Sequence, residues 1–207
     1  MKLILPIFLS LVMAITLSSN ISGITPVENW NEKRTREYVL LKKPNIRQSE
    51  LDAIVKTVEE TAPNLKLPSR FKGNFITDQR ALVLAMMMTE SEFKKTAKSP
   101  KGARGYLQLM LPTAKWLGKK KNINVNEQNI IEPEINIQLG VDYMNQLLRE
   151  MDSVEQAILA YNAGPGAVRR WGGLKEYYVN VMKNYEEVKT YSFLNGFEEK
   201  KILSFAK

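Results

Sequence analysis

Residues 79 to 90 form a helical segment that is apolar nearly all the way round, and such a helix is stable only with partners on every side. Leu82, Val83, Ala85, Met86 and Met87 leave no wide polar stripe before Thr89 and Glu90, which marks a buried central helix. Asp78 stands where an N-cap belongs. The rest of the chain supplies helices to wrap around it. Leu51, Ile54, Val55 and Val58 recur at helical spacing, with Ser49 and Asp52 read as a capping box and Pro63 as the stop. A helix is expected from about Pro112 to Gly118. Another opens at Pro133 with Ile137, Val141, Met144, Leu147, Leu148 and Met151 on one side. Ser153 and Gln156 box a short helix that Gly164, Pro165 and Gly166 end. Helical signals continue from Ala167 to Tyr185 and begin again near Gly196. Ser99, Pro100, Gly102 and Gly105 interrupt them with a loop or short hairpin. Strand signals are scarce, so the fold class is mainly α.

Composition narrows the chemistry. The 207 residues contain no histidine and no cysteine. Ser-His-Asp and Cys-His arrangements, thiolate zinc sites and disulfides are therefore excluded, and proton transfer must rest on Asp, Glu, Lys or Tyr. No metal or cofactor is expected. The formal charge is +8, with lysines grouped at 94, 95, 98 and 101 and again at 119 to 121. Such a balance attracts polyanions. For an exported chain these are anionic lipid and cell-wall or envelope polymers rather than nucleic acid, and no basic stripe interleaved with aromatics speaks for nucleic acid either.

Export is read from the N-terminus. Lys2 is a minimal positive region, Leu3 to Leu17 is an almost unbroken apolar run, and Ser18, Ser19 and Ser22 follow as small residues. This fits a cleaved signal peptide; an uncleaved N-terminal anchor is the alternative. The organisation expected is a signal peptide or anchor over 1–22, a helical accessory segment over 24–75, a catalytic domain over 76–187 and a tail over 188–207.

Glu90 is the first candidate for catalysis. A carboxylate ending a buried helix beside methionines would have its pKa raised, because burial disfavours the charged form, and a general acid working near neutral pH needs that. Taken alone, Glu90 equally fits the exposed last turn of its helix, and its surroundings have to decide.

Those surroundings resemble a known family. Thr89-Glu90-Ser91-Glu92-Phe93 is similar to the Glu-Ser motif of the soluble lytic transglycosylases. Ser99-Pro100-Lys101-Gly102-Ala103-Arg104-Gly105-Tyr106-Leu107-Gln108-Leu109-Met110 resembles that family's Ser-Pro-x-Gly-Ala-x-Gly run, and Thr113-Ala114 its Thr-Ala. Pro133, Asn136, Ile137, Gly140 and Tyr143 match its next helix, and Ala160-Tyr161-Asn162-Ala163-Gly164-Pro165-Gly166 reproduces its last motif without a mismatch. The resemblance implies a lysozyme-like, goose-type-like helical domain with a small loop or hairpin region after the catalytic helix. It also implies an exported enzyme that cleaves peptidoglycan glycan strands and leaves 1,6-anhydromuramyl ends. Glu90 would serve as both acid and base. Ser99, Gln108, Met110, Tyr161 and Asn162 would bind substrate, with core packing the alternative for Tyr161 and Met110. The chain departs from the family where Leu111 precedes Pro112, and where Glu176-Tyr177-Tyr178-Val179 has altered spacing, so Glu176 takes no role.

Two rivals stay open at this level. A lysozyme-like muramidase would need a second carboxylate, about 6.5–9.5 Å away for inversion; Glu92, Asp142 and Glu176 are the candidates. A non-catalytic glycan-binding module of a secretion or conjugation apparatus would keep the fold without turnover. A monomer is expected. The leader yields the first prediction: N-terminal sequencing of envelope or secreted material should find a new terminus between Ser18 and Gly23. Recovery of an intact chain from the cytoplasm would refute export.

Overall fold

The computed structural model describes residues 32–69 and 76–205, with side chains placed through Tyr191. The expected export signal over 1–22 lies outside the described residues. Within them the chain forms eight α-helices: α1 (Glu32–Lys42), α2 (Gln48–Thr61), α3 (Gln79–Ser91), α4 (Leu111–Lys119), α5 (Pro133–Glu150), α6 (Val154–Ala163), α7 (Pro165–Trp171) and α8 (Lys175–Phe205). Single 3-10 turns follow α2 and precede α5. The mainly α class expected from the sequence is what the chain adopts.

Helix α3 is the central one. Every residue from Ala81 to Met87 is buried, and the Asp78 carboxylate accepts from the Ala81 N–H at 3.0 Å to cap it. Helix α8 lies along it and grips both ends. The Tyr185 hydroxyl accepts from the N–H groups of Thr77 and Asp78 at 2.9 and 3.1 Å. The adjacent Asn184 donates to the Thr89 hydroxyl at 2.9 Å. On the opposite flank Glu59 of α2 accepts from Thr35 of α1 at 2.7 Å and from Arg80 of α3 at 2.8 Å. Leu51, Ile54, Val55 and Val58 of α2 are buried in the same core as α3 and α5, so α1 and α2 share one hydrophobic interior with the segment that carries the motifs.

Three local expectations change. Helix α2 begins at Gln48, one residue before Ser49, with Arg47 rather than Ser49 at the cap and no side-chain capping bond. Asp52 instead accepts from Arg36 and Gln48. No break occurs near Gly196, because α8 runs on without interruption to Phe205. Gly166 serves no turn: it sits in the first turn of α7 with ordinary φ and nothing close enough to exclude a Cβ.

Between α3 and α4 the chain has no helix. It leaves α3 through Glu92 and Phe93, both left-handed at φ 50° and 57°, then folds on two isolated antiparallel bridges, Lys98 with Arg104 and Arg104 with Leu109. Turn hydrogen bonds, among them Gly105 N–H to the Ala97 carbonyl at 3.0 Å, join these bridges, and side chains tie the loop to the helices around it. Asn136 of α5, fully buried, accepts from the Leu107 N–H at 2.7 Å and donates to the carbonyls of Arg104 and Ile130 at 2.9 and 2.8 Å. Gly105 lies hard against it: at φ +77° a Cβ would fall 2.5 Å from the Asn136 amide nitrogen. Ser91 donates to the Tyr106 carbonyl at 2.8 Å, which ties the loop to the end of α3. The Tyr106 hydroxyl donates to Glu50 of α2 at 2.9 Å, and Lys43 reaches both Glu50 and the Phe93 carbonyl.

Asn136→Ala should therefore cost more than its size suggests. It leaves the Leu107 N–H and the Ile130 carbonyl without their partner in a buried setting, at about 1–3 kcal/mol for each unsatisfied group, while the Arg104 carbonyl keeps the Leu109 N–H. Urea unfolding should show a loss of at least about 2 kcal/mol. A loss below about 1 kcal/mol would mean that other contacts fix the loop.

Candidate active site

A groove of about 590 Å³ runs between the loop that ends at Met110 and the chain that leaves α6. Glu90 projects into it from the last turn of α3. Ser99, Gln108 and Met110 line it from the loop, Thr113 from α4, Tyr143 from α5, Tyr161 and Asn162 from α6, and Leu174 from the turn before α8. The six residues singled out in the sequence thus meet in one cavity.

Glu90 is the only carboxylate among the described residues that line the groove. Burial pushes its pKa up from 4.5 to about 7, opposed by a hydrogen bond from Tyr177 that favours the ionised form. That bond is short: the Tyr177 hydroxyl donates to Oε1 at 2.5 Å. The other carboxyl oxygen, Oε2, has no protein donor among the described residues and is left for a ligand. Tyr177 itself is buried, and its hydroxyl is held well above its ordinary pKa by burial and by the Glu90 charge. It therefore stays a neutral donor.

The neighbouring polar groups divide by what they already bind. The Gln108 amide nitrogen donates to the carbonyls of Ala97 and Gly105 at 3.1 and 2.9 Å, from a left-handed backbone at φ 43°. Its carbonyl oxygen is the part offered to the groove. The Ser99 hydroxyl accepts from the Ala103 N–H at 3.0 Å and keeps its own proton to donate. Tyr161 gives its hydroxyl to the Leu107 carbonyl at 2.9 Å and packs its ring 5.2 Å from that of Tyr143, so it presents ring rather than hydroxyl to the cavity. Gly140 makes room for this contact; a Cβ there would meet Leu107 at 2.4 Å. Asn162 is exposed, and Met110 and Leu174, 40% and 55% exposed, give the rim an apolar face.

The other carboxylates are elsewhere. Glu92 is at the surface in an ion pair with Lys94, Asp142 pairs with Lys121 outside the groove at 3.0 Å, and Glu176 is exposed and not part of the lining. Sequence reasoning missed Tyr177, although it stands beside the Glu176 whose spacing drew attention. Its signal was weak: one of two adjacent tyrosines, of which only Tyr177 turns inward.

Comparison with known proteins agrees with this geometry. Residues 72–178 match the family described as "Transglycosylase SLT domain", and the chain belongs to that family. It is 35% identical to the soluble lytic murein transglycosylase of Salmonella typhimurium over 105 residues, covering 49% of this chain and 16% of that one. It is 30% identical to the membrane-bound lytic murein transglycosylase F of Aliivibrio fischeri over 147 residues, covering 64% and 28%. The chain thus spans well under a third of the length of either relative. Among solved structures it is similar to a lytic transglycosylase of Pseudomonas aeruginosa, with 28% identity and a TM-score of 0.48 over 70% of this chain and 24% of that one.

The raised pKa of Glu90 has a consequence for stability. Between the ordinary value of 4.5 and about 7 the folded protein holds a proton that the unfolded chain has released, so stability falls as pH rises through that window and levels off above it. Glu90→Gln removes this dependence. Unfolding at pH 5 and pH 8 should show the variant gaining on the wild type at the higher pH by roughly 1–3 kcal/mol. Parallel curves for the two proteins would mean that Glu90 is not held neutral.

Proposed function

We propose that this chain is an exported peptidoglycan lytic transglycosylase, which cuts the β-1,4 bond between N-acetylmuramic acid and N-acetylglucosamine and leaves a 1,6-anhydromuramyl end. The observation that carries the reading is a groove lined by a single carboxyl, half-protonated near neutral pH, with one oxygen oriented by Tyr177 and the other open.

Glu90 first donates its proton to the glycosidic oxygen as the bond from that oxygen to the muramyl C1 breaks. The oxocarbenium-like centre that forms is attacked by the same sugar's 6-hydroxyl. The new C6-oxygen to C1 bond closes the anhydro ring, and the hydroxyl proton passes to the Glu90 carboxylate. One bond is exchanged for another and no water is consumed. Tyr177 holds the carboxyl in place and steadies its charged form between the two transfers. Ser99, the Gln108 carbonyl and Asn162 provide neutral partners for N-acetyl and hydroxyl groups. Met110 and the Tyr143–Tyr161 pair give sugar rings an apolar surface. A water-activating second carboxylate, which an inverting muramidase requires, has no candidate among the groove-lining residues.

Glu90→Gln keeps the shape but cannot exchange the proton. Removal of a general acid alone loses about 10²–10⁴-fold, and dissolution of sacculi by this variant should fall at least that far. Asn162→Ala should lose less. Mass spectrometry of wild-type digests should find products lighter by one water than hydrolytic muropeptides, with no reducing muramyl end. Reducing ends would make the enzyme a hydrolase, and an active Glu90→Gln would overturn the catalytic assignment.

A further inference from the structure

A second pocket, of about 360 Å³, lies between the C-terminal half of α4, the middle of α5 and the chain at residues 64–66. Its lining is strongly basic. Lys66, Lys120, Lys121 and Arg149 face it against one carboxylate, Asp142, and that carboxylate is paired with Lys121 at 3.0 Å. Neither Lys66 nor Lys120 has a carboxylate partner among the described residues. With cations outnumbering carboxylates along this lining, the concavity is a place where an anion from outside is favoured.

The pocket is built rather than incidental. The Asn145 side chain accepts from the Lys66 N–H at 2.7 Å and donates to the Asn64 carbonyl at 2.9 Å, which pins that segment, and Lys66 with it, against α5. Lys120 lies over the ring of Trp116, its ammonium 3.5 Å from the centroid.

Its position relates it to the groove. Thr113 lines the groove, whereas Leu117 and Lys120 line the pocket. At i, i+4 and i+7 these three residues follow one stripe of α4 over about 10 Å. On α5, Tyr143 lines the groove while Asp142, Asn145 and Gln146 line the pocket. The basic pocket therefore continues the line of α4 beyond the groove. Peptidoglycan carries its charge on the free carboxylates of the peptide stems, which branch from the muramyl units.

We propose that this pocket is a second binding site that takes a stem-peptide carboxylate of the peptidoglycan strand whose sugars lie in the groove, with Lys66 and Lys120 as its main contacts. The proposal rests on the reading of the groove as a peptidoglycan site. It makes the enzyme sensitive to whether a strand is still decorated with peptide.

Co-sedimentation of the full chain with purified glycan strands tests it without relying on turnover. Strands bearing their stems, strands stripped of stems by amidase and strands freed of phosphate polymers are compared for the wild type, Lys66→Gln/Lys120→Gln and Lys175→Gln/Lys183→Gln. The last pair removes the same charge from exposed positions on α8. Wild type should bind stem-bearing strands about tenfold or more tighter than stripped ones, the scale of a charge-assisted hydrogen bond. The Lys66/Lys120 variant should lose that preference while melting like the wild type and binding stripped strands equally well. The α8 variant should keep it. Equal loss in both variants would reduce the effect to net charge and overturn the proposal. A loss of binding that follows removal of phosphate rather than of peptide would assign the pocket to a phosphate-bearing wall polymer and overturn it too. If wild type dissolves sacculi and the Lys66/Lys120 variant still prefers stem-bearing strands, the pocket proposal fails and the catalytic reading stands. If wild type neither binds nor dissolves any strand, the catalytic reading itself fails.

Discussion

The buried amide of Asn136 anchors the non-helical loop between α3 and α4 to the helical core. The chain between α3 and α4 pairs with itself through two isolated bridges and a set of turn hydrogen bonds, and it must deliver Ser99, Gln108 and Met110 to one wall of the groove. Asn136 does this by bonding both arms of the loop and the turn before its own helix. Ser91 and Tyr161 add one carbonyl contact each from α3 and α6. Three helices thus hold residues 104–107 of the loop, and Gly105 has to be glycine for the amide to come so near. A shift of the loop by one residue would leave several buried polar groups unpaired at about 1–3 kcal/mol each, so the wall has one low-energy position.

The groove's acid depends on the same economy of parts. Helix α3 carries Glu90 into a largely dry setting, where burial outweighs the hydrogen bond to its carboxyl and the pKa rises to about 7. Tyr177 works in the opposite direction and keeps the rise smaller than burial would make it. Because Tyr177, Asn184 and Tyr185 all lie on α8, the helix that tunes the carboxyl also sets how far α3 advances toward the groove. On the far side, α1 and α2 support the loop through the Lys43, Glu50 and Tyr106 contacts, which gives the N-terminal helices a part in the geometry of the site.

Much of this was readable in the sequence, and the exceptions have physical reasons. Helix α3 declared itself because an all-round apolar pattern has one solution, and Asp78 and Ser153 were found as caps because their side chains accept the expected N–H bonds. The Ser49–Asp52 pair misled because the same pattern occurs inside a helix, where Asp52 answers to Arg36 on a neighbouring helix instead of to its own backbone. The six groove residues came from ordered motifs, which preserve spacing along the chain but not the direction of a hydroxyl. Hence Tyr161 was expected to offer its hydroxyl to sugar, while in the fold it points to Leu107. Tyr177 and the basic pocket were out of reach for a different reason: each depends on residues far apart in sequence. Lys66 and Lys120 acquire meaning together only once α5 stands between them.

The direction in which α3 runs also matters. Aligned peptide dipoles give a helix a partial negative charge at its C-terminal end, and Glu90 sits in that last turn, where the Met87 and Met88 carbonyls point. The macrodipole there disfavours a carboxylate by about 0.3–1 kcal/mol, less than one pKa unit but of the same sign as burial. An identical glutamate at the opposite end of the helix would meet free N–H groups and be held ionised. The polarity with which the central helix enters the groove thus helps to make its terminal carboxyl an acid at rest rather than a base.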